Sequence, residues 1–448
     1  MNYEAAVRYL LSLGRELAAP TQAAAAAKFD LENITALAER LGRPDRAYPS
    51  VHIAGTNGKG STAAFIEAIL RRAGFRTGLN TSPHLERINE RIRVNGEAIS
   101  DETFAETFTR VQMLNEELLA AGKLRAHPTY FECVTAMAFE CFAHERVDFG
   151  VFEVGLGGRL DATNIATPVV SVITRIDFDH ENFLGHSLRE IATEKAGILK
   201  PGVPGVVAEQ RPEAMEVVQE RAAALRCPLI ETAKEFRIEG ERMANGLVRA
   251  TAREMGSGWS VEVAPRLAGR FQLQNALNAV AAARQLAARG FRISDAAIAE
   301  GIATAMWPGR LEKLQSQPEV YLDGAHNPGA ARELAAFWQE NFAGRKLWLI
   351  FGALRDKAVD EVAGILFPHA AEVILTQPRT TRAISVAQLA EITAHHAEHL
   401  RIAAEPEGAL EEALERADRH DIIFVAGSLY LVGQVRHYWN DRAHVAAR

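Results

Sequence analysis

Val51-His52-Ile53-Ala54-Gly55-Thr56-Asn57-Gly58-Lys59-Gly60-Ser61-Thr62 is the stretch that decides the fold. Its first four residues read as a short buried strand, and residues 61–73 have the pattern of a helix closed by Gly74. Between them, Gly55, Gly58 and Gly60 let the backbone turn its N–H groups inward around a phosphate. The helix N-terminus adds a favourable dipole, and Lys59 supplies a mobile positive charge. Ser61 presents a hydroxyl suited to Mg²⁺. The general pattern G-x4-G-K-[ST] is not met, because Gly60 separates Lys59 from that hydroxyl. A plain glycine-rich connector is the other reading. The strand before, the helix after and the Lys-Gly-Ser core favour phosphate binding over residues 55–62.

The same rhythm continues outward. Residues 150–154, 169–173 and 203–208 are strand-like, and residues 187–199 are helix-like until Pro201. Such alternation implies a parallel sheet covered by helices. Residues 1–45 look helical, including the Ala-rich run 23–27. Residues 230–268 show short alternating runs and scattered glycines, expected as antiparallel strands at an edge, and a strong helix follows over 273–288. Met306-Trp307-Pro308-Gly309-Arg310 then breaks regular structure. Beyond it strands recur at 320–322, 346–351, 372–376 and 422–425, so a domain boundary is expected at 308. No internal repeat is present.

The 448 residues are 48% hydrophobic and 24% charged, with a net charge of −7. This excludes wholesale disorder and argues against a general nucleic-acid binder. The longest near-apolar run, 422–433, is too short for a membrane span, and the N-terminus lacks a signal peptide's pattern. Cys133, Cys141 and Cys227 show no CxxC spacing and read as buried thiols of a cytoplasmic protein.

Carboxylates follow successive strands. Glu153 ends one, ahead of Gly155-Leu156-Gly157-Gly158-Arg159-Leu160-Asp161, and Asp177, Asp179 and His180 follow the next. In an open parallel sheet, ligands sit beyond the strands' carboxyl ends, where such groups suit a magnesium ion. Lys195, by composition alone, is a surface lysine near a helix end.

The strings HIAGTNGKGST (52–62), TSPHLERINERI (81–92), TYFECVTAMAF (129–139), FEVGLGGRLDATN (152–164) and ITRIDFDHENFLG (173–185) resemble the Mur-ligase superfamily. So do IATEKAGILK (191–200), GRFQLQNA (269–276), WPGRLE (307–312) and DGAHNP (323–328). Within it they are similar to the folylpolyglutamate synthases and their bifunctional dihydrofolate synthase members, whose own glycine-loop variant is the one present here.

The resemblance implies an α/β fold: a P-loop-type parallel-sheet ATPase domain over 1–308, then a smaller Rossmann-like α/β ligase domain over 309–448. It implies an ATP-dependent ligase in which a pteroate or folate carboxylate takes the γ-phosphate and the amino group of L-glutamate then displaces it. Ser61 and Glu153 match ligands of one magnesium ion and His180 a ligand of a second. Lys195 matches a lysine that the family carbamylates, and Lys59 is the phosphate-side cation. Asn275 resembles an adenine contact, Arg310 a phosphate contact or an ordinary salt bridge, and Asp323 and His326 the second domain's ribose and phosphate contacts. Ser82, Pro83 and His84 resemble a pterin-side loop, with His84 either a substrate contact or a loop residue. Asp161 takes the form common in bifunctional members or simply makes an Asx turn. Ser428 lines the cleft or caps the last helix; Lys357 matches a second-domain motif that Ala358 interrupts. The expected partners are small molecules, with no nucleic acid or membrane, and the chain is expected to be a monomer. Polyglutamylation alone is the alternative to two activities, and a UDP-sugar-peptide ligase is the rival within the superfamily.

Overall fold

The computed structural model describes residues 1–13, 30–124 and 126–446. The run 23–27 lies outside them, and the expected helical region 1–45 is described as two helices, Tyr3–Ser12 and Glu32–Arg40. Strands β1 (Ser50–Ala54), β2 (Thr77–Asn80), β3 (Ile92–Val94), β4 (Glu97–Ala98), β5 (Phe149–Glu153), β6 (Val170–Ile173), β7 (Gly205–Val207) and β8 (Leu229–Glu231) form one sheet in the order β4-β3-β2-β5-β1-β6-β7-β8. From β2 to β8 every neighbour is parallel; β3 and β4 add an antiparallel edge.

Every residue of β1 and β5 is buried, as a parallel strand covered on both faces requires. Alternation along β5 assigns the two faces. Val151 joins a core with Phe65, Ile66 and Ile69 of the helix Lys59–Arg72. Phe152 points the other way, its ring 4.8 Å from Phe139 and 5.6 Å from Phe142 of the helix Tyr130–His144. The rhythm of strands does not announce that helix or Asp101–Ala120, because both fall in the long excursion between β4 and β5.

The alternating runs near residue 240 form an antiparallel sheet of β9 (Phe236–Ala244), β10 (Leu247–Glu254) and β11 (Ser260–Val263). The helix Arg270–Ala288 begins three residues before the expected start and packs on Lys59–Arg72. Strands β12 (Glu312–Ser316), β13 (Glu319–Leu322), β14 (Leu347–Phe351), β15 (Glu372–Leu375), β16 (Leu400–Ile402) and β17 (Ile422–Ala426) form a second large sheet, ordered β12-β13-β17-β14-β15-β16 and parallel except for β12. Separate cores cover its two faces. Among the described residues no helix is long and apolar enough to cross a membrane. All three cysteines are free and buried, and burial pushes the thiols of Cys133 and Cys141 up to about 12.

Register sets the site. Ile53 of β1 lies beside Glu153, Ala54 beside Ile173, and Asn80 of β2 beside Phe152, so the chain leaves β1, β2, β5 and β6 at one edge. In the second sheet Leu322 lies beside Val425 and Phe351 beside Ala426. Residues following both sets of strands line one cavity.

Candidate active site

The cavity holds about 750 Å³, within the range of a small-molecule site. Gly55 heads it. At φ +149°, a Cβ there would lie 1.9 Å from Thr174 Oγ1, so only glycine fits. Gly58, at φ +87°, is likewise pressed by Asn275 Oδ1, 2.2 Å from where a Cβ would stand. The helix starts at Lys59, which leaves its first amides without intrahelical acceptors and directed at the cavity end.

The loop departs from the expected cradle in one respect. The amides of Thr56 and Asn57 donate to Arg175 O at 2.9 and 3.2 Å, and the Thr56 hydroxyl donates to Asp177 O. These two residues therefore dock the loop onto the segment after β6, and their amides are already engaged. Thr62 also turns away: it is buried, does not line the cavity, and its hydroxyl donates to Asn275 O at 3.4 Å.

Two lysines converge on one carbonyl. Lys59 Nζ donates to Gly55 O and Thr56 O at 3.0 and 3.1 Å, and Lys195 Nζ donates to Gly55 O at 2.8 Å. Lys195 sits in the last turn of the helix Leu188–Ala196, yet is only 4% exposed, which overturns the surface-lysine reading. Burial, helped by the Lys59 charge, lowers its pKa to about 7.

Ser61 and Glu153 are buried beside these lysines. Burial raises the Glu153 carboxyl above its ordinary range against the pull of Lys59, and its Oε2 accepts the Ser82 amide at 3.1 Å. His180, at φ +52°, is held neutral, its pKa lowered to about 3 by burial and by Lys357. Its Nδ1 is buried without a hydrogen-bond partner. A hydroxyl and a carboxylate on one cavity suit a hard divalent cation, and the neutral imidazole offers a lone pair to a second. The Lys357 ammonium complicates the second ion. It lies 2.7 Å from Asp179 Oδ1 and 3.2 Å from His180 Nε2, so a cation on that nitrogen requires Lys357 to move.

Sequence reasoning did not place Lys357 against Asp179, and it missed Asn327. The amides of Asn57 and Asn327 bond reciprocally, at 3.2 and 2.9 Å, and tie the glycine loop to the second sheet. The string DGAHNP, which contains Asn327, was the available signal, but nothing in it names the glycine loop as its partner. Asp323 accepts the amides of Leu311 and Ala325 at 2.9 and 2.8 Å, which fixes the turn carrying Arg310. Arg310, His326 and Ser428 line the cavity, and Ser428 Oγ also accepts the Tyr430 amide.

On the opposite wall Ser82 and Pro83 line the cavity, but His84 does not, and its Nδ1 accepts from Arg91 Nε at 2.8 Å. Asp161 borders the cavity while its carboxylate accepts the amides of Gly155, Leu156 and Thr163 and the Thr163 hydroxyl. It holds the glycine-rich turn, as the Asx reading expects. The Phe131 ring packs against Gly155, and Leu156, Leu160 and Leu184 complete an apolar wall.

Residues 53–283 match the Mur ligase middle domain, and residues 309–429 match the Mur ligase glutamate ligase domain. The chain belongs to the Mur ligase family. This Mur ligase is 36% identical, over 89% of its length and 92% of the relative's, to the dihydrofolate synthase/folylpolyglutamate synthase of Bacillus subtilis. It is 33% identical to the folylpolyglutamate synthase of Lacticaseibacillus casei over 97% of its own chain and 98% of the other. The Mycobacterium tuberculosis folylpolyglutamate synthase complexed with ADP and AMPPCP superposes with a TM-score of 0.86 at 32% identity, covering 97% of this Mur ligase and 99% of that chain. Escherichia coli FolC in complex with DHPP and ADP gives 0.86 at 28% identity, with 99% of each chain covered.

Proposed function

We propose that this Mur ligase joins L-glutamate to the carboxylate of dihydropteroate and of folates, using ATP and an acyl-phosphate intermediate. One observation carries the reading: glycine loop, paired lysines, Glu153 and the second sheet's Arg310, Asp323 and His326 surround a single cavity. The names of relatives that match 80–90% of the chain support both activities. The boundary at 308, with domains over 1–308 and 309–448, is supported by the two large sheets and by the limits of the two matched domains.

The chemistry brings two anions together. Lys59 leaves the Gly55 and Thr56 carbonyls to meet the triphosphate, and Arg310 approaches it from the second sheet; both offset charge as the carboxylate attacks. Asn275, against Gly58, borders the nucleotide end, and the wall of Phe131, Leu156 and Leu160 suits the flat rings of a pteroate. Ser61 and Glu153 would hold one Mg²⁺, and His180 a second once Lys357 is displaced. When bound, magnesium lowers the cost of bringing the carboxylate to the phosphates. Lys195 reacts with carbon dioxide: its neutral amine forms the new N–C bond, loses a proton and becomes a carbamate anion beside the ions. Water is kept from the acyl phosphate by the apposition of the two sheets, to which the Asn57–Asn327 pair contributes. The same reading makes the protein a cytoplasmic monomer acting on small molecules alone.

Phosphate release is measured with ATP, Mg²⁺, glutamate and, in turn, dihydropteroate, tetrahydrofolate and a UDP-sugar peptide. Release with the first two only is expected. Release with tetrahydrofolate alone would reduce the reading to polyglutamylation, and release with the sugar peptide would overturn it. Lys59→Ala is expected to lower kcat at least about a hundredfold.

A further inference from the structure

The segment from Ser82 to Glu86 runs between the two large sheets. At one end the Ser82 amide holds Glu153. At the other, Glu86 accepts from Arg436 Nη1 and faces His437 Nδ1 at 3.3 Å. The residues between are held at several points: the Glu90 carboxylate accepts the amides of Leu85, Glu86 and Arg87 at 2.8, 3.1 and 2.8 Å, and the His84 ring accepts from Arg91 Nε. Leu85 O lies against the last helix, 2.0 Å from where a Cβ at Gly433 would stand.

Arg436 has a second partner. Its Nε donates to both oxygens of Glu312, at 2.9 and 3.1 Å, and Glu312 accepts the Gly309 amide at 2.8 Å. One guanidinium thus joins the first-sheet loop to the strand that opens the second sheet. The side chains of Arg436, Glu86 and Glu312 are 25%, 15% and 23% exposed, more shielded than an ordinary surface pair. Removing Arg436 would leave two half-buried carboxylates at one spot. None of the three lines the cavity.

We propose that Arg436 is a positioning residue for ligation: by bridging Glu86 and Glu312 it seats the Ser82–Glu86 segment, and through the Ser82 amide sets the Glu153 carboxylate for its cation. The inference rests on the ligase reading, and its test separates the two. Arg436→Met, Arg436→Lys and Glu86→Gln are compared with the unaltered full chain for thermal unfolding, for kcat and KM(ATP), and for Mn²⁺ affinity. The last is read by electron paramagnetic resonance with AMPPCP bound. Arg436→Met is expected to lower kcat and Mn²⁺ affinity each about tenfold, as lost outer-shell support does, with KM(ATP) within about twofold. Arg436→Lys, which keeps the charge, falls between. A folded Arg436→Met with kcat and Mn²⁺ affinity both within about twofold of the unaltered chain overturns the proposal. Should that variant not fold, Glu86→Gln is judged by the same two readouts. An unaltered chain that ligates no folate acceptor refutes the ligase reading instead, and the Mn²⁺ comparison still decides the clamp.

Discussion

Two ammonium groups cannot share one carbonyl oxygen in a buried site without cost to their charge. Lys59 and Lys195 both reach Gly55 O, and Lys195, buried and beside a second cation, has its pKa lowered to about 7. The sign follows directly. Below about 7 the ammonium dominates and has no lone pair to attack carbon dioxide; above it the free amine dominates. Carbamate on Lys195 should therefore rise with pH through 7 and with bicarbonate concentration. With ¹³C-bicarbonate, a carbamate resonance is expected at roughly pH 8, fading towards roughly pH 6 and absent in Lys195→Arg. A nucleotide-bound enzyme whose Lys195 stays unmodified at the higher pH contradicts this.

At the scale of elements, the glycine loop links conformation to nucleotide. Gly58 combines a left-handed φ with the close approach of Asn275, whereas Gly74, at φ +92°, has no heavy atom within 4 Å of its would-be Cβ. Gly74→Ala should cost about 1 kcal/mol of stability from backbone strain and leave AMPPCP affinity unchanged. Gly58→Ala should pay the same strain and also push Asn275 away, weakening AMPPCP about tenfold by calorimetric titration. Equal affinities in the two variants would separate Asn275 from the nucleotide. What was legible in the sequence follows the same division. Although the helix opens at Lys59, two residues before the expected start, the strand and the turn at its glycines are local and stand where the residues put them. The docking of Thr56 and Asn57 on Arg175, the turning of His84 to Arg91 and the reach of Lys357 to Asp179 were not, because each depends on a partner delivered by another element. Lys195 was misread from composition for that reason: helix position suggested solvent, and the packing of its helix under β1 and β6 supplied burial.

At the scale of the molecule, a chain of net charge −7 gathers Lys59, Lys195, Arg310 and Lys357 around one cavity between two parallel sheets. Neither sheet carries the whole set, so catalysis depends on their apposition, with Asn57–Asn327, Lys357–Asp179 and Glu86–Arg436 crossing between them. The two-sheet arrangement was readable from the restart of strands after Arg310, while the bonds that cross it were not. In the proposed reaction the acceptor carboxylate takes the γ-phosphate before the amine arrives. Dihydropteroate labelled with ¹⁸O in its carboxylate, incubated with ATP, Mg²⁺ and glutamate, tests it most directly through the mass of the released phosphate. One ¹⁸O is expected in each inorganic phosphate; unlabelled phosphate accompanying amide formation would contradict an acyl-phosphate intermediate.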